Sequence, residues 1–238
     1  MNRHIPFLVL WLIISACTAT EKESITISVL EDVTEKDFIA KPGANAIVEQ
    51  YGLENDLWQS VKFRYGRISN LIHNQRVEYV LGGETALLGN EITRRTDIKK
   101  FKADIERSLE QKNDSFGYPY SSIWEPLTAE LKALQQFPNS QTTLYLYSDL
   151  QENNSDWFSV HRDNDLILLE RTPKKARTLF LGKAEGIQKG KGNITVVVVY
   201  QPRTMKEDGD FSRMSELYRS IFRELEIPIV FTAQLNTK

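Results

Sequence analysis

The chain has 238 residues, one cysteine, three histidines and a net charge of −2, from 30 Lys and Arg against 32 Asp and Glu. That balance offers no basic excess with which to hold nucleic-acid phosphates. A single cysteine excludes an internal disulfide and a thiolate zinc cage, and so few histidines argue against a histidine-rich metal site.

At the amino end, Arg3 precedes an apolar run from Phe7 to Ile14, then Ser15, Ala16 and Cys17. The run is far shorter than the ~20 apolar residues that cross a bilayer, so it reads as the core of a signal peptide. The tetrad Ile14-Ser15-Ala16-Cys17 resembles the lipobox of bacterial lipoproteins. The resemblance implies a signal peptide over 1–16, an acylated Cys17 as the mature amino terminus, and no free thiol for nucleophilic chemistry. Two or three acyl chains hold a protein on a membrane where one does not. The expected location is therefore the bacterial cell envelope, lipid-anchored, with Thr18 rather than an aspartate after Cys17 favouring the outer membrane. The alternative is an ordinary secretory signal cleaved elsewhere. Residues 17–23 are polar and without apolar period, and read as a tether.

From residue 24 the chain alternates strand and helix signals. Ile25 to Leu30 is a β-branched apolar run ending at Glu31-Asp32. Helical and irregular material follows over 43–58. Val61 to Ile68 alternates as a strand, Asn74-Gln75 turns the chain, and Arg76 to Leu81 returns; strands this close must pair antiparallel. From Thr96 the period becomes helical, with Ile98, Phe101, Ile105 and Leu109 on one face. Ser122-Ile123-Trp124-Glu125 fits a capping box opening a second helix through Leu127, Leu131 and Leu134, with Pro126 in its first turn. Thr142 to Tyr147 is the next strand, ending at Ser148-Asp149. Pro173 to Leu181 suits a short helix, and 182–192 a Gly/Lys-rich loop. Ile194 to Tyr200 reads as a central strand buried on both faces. Phe211 to Leu225 marks a long helix, and Ile229 to Ala233 closes as a strand. With no repeat or linker, residues 24–238 read as one α/β domain with a mostly parallel sheet, an antiparallel edge hairpin and helices on both faces.

Open α/β sheets bind ligands beyond the carboxyl ends of their strands. Two strands here end in carboxylates, at Asp32-Val33-Thr34 and at Ser148-Asp149, and Ser121-Ser122 precedes a helix. Carboxylates with hydroxyls are hard oxygen donors suited to Mg2+ or Mn2+. With its first strand ending in Asp-x-Thr, its hairpin edge, its hydroxyl before a helix and its strand ending in Ser-Asp, the chain resembles the von Willebrand factor type A domain over most of residues 24–238. The resemblance implies a metal-ion-dependent adhesion site, built from an Asp-x-Ser-x-Ser motif, a threonine from a second loop and an aspartate from a third. Asp32 and Thr34 match the motif's start, Ser121 or Ser122 stands for the threonine, and Asp149 for the last aspartate. Lys36 occupies the second serine's position; its ammonium cannot ligate a metal and could neutralise Asp32 in the metal's place.

Other readings of these residues stay open. Asp32 and Asp149 also suit local bonds to loop amides, and Ser122 a plain helix cap. Trp124 and Trp157 flank the rim, where exposed they would anchor a partner and buried they would be core. The loop Gly186 to Gly192 lacks the spacing of a phosphate-binding loop and precedes a strand rather than a helix, so it reads as a turn with solvated lysines. No nucleophile elbow is present; His73 falls in the hairpin turn and His161 in an exposed loop. The function expected is non-catalytic: a lipid-anchored binding or scaffold domain that engages a protein partner of unknown identity at the sheet's carboxyl rim. The alternative is a metal-dependent phosphohydrolase using Asp32, although residue 34 is Thr where haloacid-dehalogenase-like phosphatases carry a second Asp.

Overall fold

A computed structural model describes residues 23–34, 38–68, 76–84, 89–110 and 121–235. Cys17 and its lipobox, most of the tether, Lys36, His73 and the Asn74-Gln75 turn lie outside the described residues. Among the described residues, no helix is long and apolar enough to cross a membrane.

Among the described residues, six strands form one sheet. β1 (Ser24–Asp32) pairs in parallel with β2 (Val61–Ile68) on one side and with β4 (Ser140–Tyr147) on the other. β3 (Arg76–Leu81) lies antiparallel against β2. Beyond β4 come β7 (Asn193–Val199) and β8 (Ile229–Thr232), both parallel, giving the order β3-β2-β1-β4-β7-β8. A separate two-residue ribbon joins β5 (Asn153–Asn154) to β6 (Phe158–Ser159). The fold is thus the mixed α/β sheet with one antiparallel edge strand that the sequence predicts.

Alternation along the strands divides the core into two layers, because successive side chains leave a strand on opposite faces. Leu30, Leu144, Leu146, Val196 and Val198 face one layer. It is covered by α3 (Trp124–Leu134), α4 (Asp163–Arg171), α5 (Pro173–Lys183) and α6 (Met205–Leu225). Ile27, Val29, Val61, Phe63, Tyr145 and Tyr147 face the other, covered by α1 (Ala44–Gln50) and α2 (Glu91–Glu110). Trp124 is fully buried, ring-to-edge against Phe180, Tyr218 and Phe222, with its indole N–H on the Phe180 carbonyl at 2.8 Å. Trp157 is half-buried and packs on Phe180 at 4.7 Å. Both tryptophans are therefore core rather than anchors for a partner.

Four sequence expectations are corrected. α2 begins at Glu91, not Thr96: the Asn90 carboxamide accepts the amides of Ile92 and Thr93 at 2.9 and 3.2 Å. Its first buried residue is Arg94, which breaks the apolar period. α4 went unseen because Leu169 is its one buried residue. β7 buries Ile194, Val196 and Val198, but Thr195 and Val197 on its other face are only half-covered. The loop begins after Lys183, since Gly182 still belongs to α5. The glycine-lysine loop is a turn: the Gln135 side chain donates to the Gln188 carbonyl at 2.6 Å and accepts its amide at 3.0 Å.

Polar groups cross the first layer near β2. Glu130 of α3, 2% exposed, accepts from Ser28 at 2.9 Å and Arg64 at 2.6 Å, and pairs with Arg76 at 3.1 Å. This fixes how α3 seats on the strands, because a buried charge is tolerated only when fully paired.

Candidate functional site

The carboxyl ends of β1 and β4 meet the start of α3, and Asp32 sits at their junction. Its side chain is 3% exposed. One carboxylate oxygen accepts the Thr34 hydroxyl at 2.6 Å and the Thr34 amide at 3.0 Å. The other accepts hydroxyls from Ser121 and Ser148, each at 3.2 Å. Three segments distant in sequence therefore converge on one carboxylate. Burial pushes the Asp32 carboxyl above its ordinary range, against the pull of these donors.

The end of β4 turns sharply to deliver its share. Leu150 holds a positive φ of 63° with its side chain fully buried, a backbone region that costs a non-glycine residue about 1–3 kcal/mol. Three contacts hold it there. The Ser148 hydroxyl accepts the Leu150 amide at 3.0 Å, the Asp149 carboxylate accepts the Gln151 amide at 2.9 Å, and the Leu150 carbonyl accepts the Glu152 amide at 2.9 Å. Core packing of Leu150 thus aims Ser148 at Asp32.

Of the residues singled out in the sequence, the structure brings together Asp32, Thr34 and Ser121. Ser148 joins them as a member the sequence reading left unassigned. Asp149, 4% exposed, lies on the same turn and spends one oxygen on the Gln151 amide. Ser122 points elsewhere. Its hydroxyl donates to Glu152 at 3.3 Å and accepts from Asn154 at 3.1 Å. Lys36 lies outside the described residues.

The capping box expected at Ser122 is not formed. α3 is capped instead by Glu152, whose carboxylate accepts the amides of Ile123 and Trp124 at 2.9 and 2.8 Å. Glu152 is fully buried, and burial pushes its carboxyl up to about 8 despite those donors. A strand-like bridge between Ser121 and Asn153, at 3.1 and 2.7 Å, ties the same loop to Ser121. Beneath the rim, Tyr218 is fully buried and its hydroxyl has no hydrogen-bond partner among the described residues. Burial and the nearby carboxylates of Glu152, Asp149 and Asp32 hold that phenol well above its ordinary range.

On the sheet's other face, Glu31 accepts from the Tyr65 hydroxyl, which itself accepts from the Arg67 guanidinium at 3.1 Å. Glu31 and Asp32 are adjacent but leave β1 on opposite faces, so this network is separate from the Asp32 cradle. His161 is exposed.

A hard cation is what the type A resemblance implies for such a rim. The donor set fits: carboxylate and hydroxyl oxygens, with the Thr34 and Ser121 oxygens keeping lone pairs while they donate their protons to Asp32. Among the described residues no three His, Cys, Asp or Glu side chains converge as a cation cage, so the hydroxyls would have to supply much of the coordination.

No family model matches the chain, and no curated protein matches it. Among solved structures, the human COPII-coat protein Sec24c is similar over 90% of this chain and 30% of that one, with 10% identity and a TM-score of 0.35. At that distance the likeness speaks neither for nor against any function.

Proposed function

We propose that this chain is an envelope-tethered binding domain that engages a protein partner at the carboxyl rim of its sheet. The observation that carries the reading is the Asp32 cradle, in which Thr34, Ser121 and Ser148 converge from three segments on one buried carboxylate. A convergence of that kind supports recognition better than turnover. Both Asp32 oxygens are engaged and the side chain is 3% exposed, whereas a nucleophilic carboxylate needs an open oxygen beside its substrate.

Within this reading, the Thr34 and Ser121 hydroxyl oxygens would hold Mg2+ or Mn2+, with Asp32 and Asp149 supplying negative charge behind them. Bound there, the cation would supply an open coordination position for a partner's carboxylate. The competing reading gives that place to Lys36, whose ammonium would neutralise Asp32 permanently. The cation and the lysine differ in a measurable way, because a ligand of the native state raises the melting temperature by mass action. Under the metal reading, millimolar MgCl2 raises the Tm of the full chain and Asp32→Asn abolishes the rise. Under the lysine reading, MgCl2 acts only after Lys36→Ser.

The binding function is tested by affinity capture from envelope extract, comparing wild type with Ser121→Ala. A protein held by wild type and released by the variant supports the reading. Hydrolysis of a phosphate ester that depends on Mg2+ and disappears in Asp32→Asn would replace it with the phosphohydrolase alternative.

A further inference from the structure

β3 is an outer strand. It pairs with β2 on one side, and among the described residues no strand pairs with its other side. Native proteins guard such edges with charge, and β3 carries Arg76 and Glu78. Those charges are folded back onto its own sheet: Glu78 pairs with Arg64 and Lys62, and Arg76 with Glu130. Val80, between them and the strand's end, is 59% exposed.

Between this edge and α2 lies a cavity of about 380 Å3, flanked by Val80, Gly82, Glu84, Asp97, Lys100 and Asp104. Arg94 fixes its width. The buried guanidinium reaches from α2 to the Gly82 carbonyl just past β3, at 2.6 Å, and to the Leu57 and Gln59 carbonyls at 2.8 and 2.6 Å. The wall is acidic. Asp104 is engaged by Arg107 at 2.8 Å, but the carboxylates of Asp97 and Glu84 have no hydrogen-bond or ion-pair partner among the described residues. Asp97 is half-buried, and a partly desolvated, unpaired carboxylate favours an incoming cation.

A free strand edge and an acidic wall beside it recognise one kind of ligand. We propose that this groove docks an extended segment of a partner protein, which pairs with β3 as an added strand and sets Lys or Arg side chains against Asp97 and Glu84. Strand side chains alternate between faces, so every second residue of the segment faces α2 and carries the cations, with β-branched residues between them. The groove lies at the opposite end of the sheet from Asp32, since Leu81 registers with Val61 and Val61 with Ile25. It therefore stands or falls independently of the rim.

The test uses the full chain and fluorescein-labelled hexapeptides read by anisotropy: alternating Lys-Val, alternating Glu-Val, and two Lys-Val versions N-methylated on odd or on even residues. A strand presents alternate amides to each edge, so one N-methylated version removes the donors that would meet β3. The expected result is binding of Lys-Val at least tenfold tighter than Glu-Val, loss of at least tenfold in one N-methylated version, and slowed amide exchange in 76–81. The double variant Glu84→Lys, Asp97→Lys is expected to lose tenfold or more with its circular dichroism unchanged. Absence of measurable binding overturns the proposal. So does equal binding of Glu-Val, equal binding of both N-methylated versions, unchanged affinity in the folded double variant, or binding that leaves β3 exchange unaltered.

Discussion

Glu152 shows how one side chain governs the rim from behind it. It stands 28 residues after Trp124 in sequence yet caps the helix that Trp124 opens, so no local pattern could reveal it. The Ser122 to Glu125 tetrad looked like a capping box because it has the residues of one. A genuine side-chain cap sits at Thr204, whose hydroxyl accepts the Glu207 amide at 3.2 Å. The two tetrads differ in what surrounds them: Thr204 is exposed, whereas Ser122 is buried beside a carboxylate that takes the helix amides first. Burial also makes Glu152 a source of pH dependence. Its carboxyl rises from 4.5 unfolded to about 8 folded, so between those values the native state holds a proton that the unfolded chain has released. Stability from this group is present below about pH 4.5 and is lost as pH rises through about 8. Asp32 and Glu31, raised by burial as well, act in the same direction. Glu152→Gln keeps the acceptor for Ile123 and Trp124 and cannot ionise. Its Tm is therefore expected to fall less than wild type between pH 5 and pH 8, with the gap widening toward alkaline pH in calorimetry. Parallel curves would show that Glu152 stays charged in the native state.

Among the elements, those with an unbroken period were legible and those organised by a buried polar residue were not. β2 and β3 match their alternating runs residue for residue, and α6 carries its apolar stripe from Phe211 to Leu225 but opens six residues earlier, at Met205, where the Thr204 cap rather than the stripe marks the start. α2 lost its first turn to Arg94, which is 1% exposed and reads in sequence as a surface residue. In the fold it satisfies three carbonyls on two loops, doing for irregular backbone what a ladder does for strands. The Asp32 cradle was legible in part for the same reason. Asp32, Thr34 and Ser121 carried a motif, whereas Ser148 acquires its role only from the turn that Leu150 makes. Arg94→Met retains the aliphatic stem but strands the carbonyls of Leu57, Gln59 and Gly82. At about 1–3 kcal/mol for each buried group left unpaired, partly offset by entering water, a loss of roughly 2–5 kcal/mol in urea unfolding is expected. Arg94→Lys, which can satisfy some of the three, should fall between. A loss under about 1 kcal/mol for Arg94→Met would mean that the loops hold without it.

For the whole molecule, the direction of β1 sets which end of the domain faces the membrane under the lipobox reading of Cys17. Ser24 starts β1 at one end of the sheet and Asp32 ends it at the other; at ~3.3 Å per residue the two lie roughly 26 Å apart. The chain from Cys17 to Ser24 spans at most about 25 Å when fully extended, so under that reading the Ser24 end would stay within that reach of the bilayer, and the rim, one strand length farther along, would be the end more open to a partner. Ile92, 80% exposed at the start of α2, lies toward the Ser24 end, because the neighbouring Arg94 bonds the Gln59 carbonyl and Ser60 accepts the Ile25 amide. Ser155, exposed in the turn between β5 and β6, lies near the rim, beside the Ser121–Asn153 bridge. An acylated Cys17 leaves no competing thiol, so a single fluorophore can be placed at Ile92→Cys or at Ser155→Cys in the full chain. In vesicles containing headgroup spin-labelled lipid, stronger quenching is expected at position 92 than at 155. Equal or reversed quenching would overturn the orientation while leaving the anchor intact. Cys17→Ser that still fractionates with membranes would remove the anchor itself, and with it the reason for the rim to face outward.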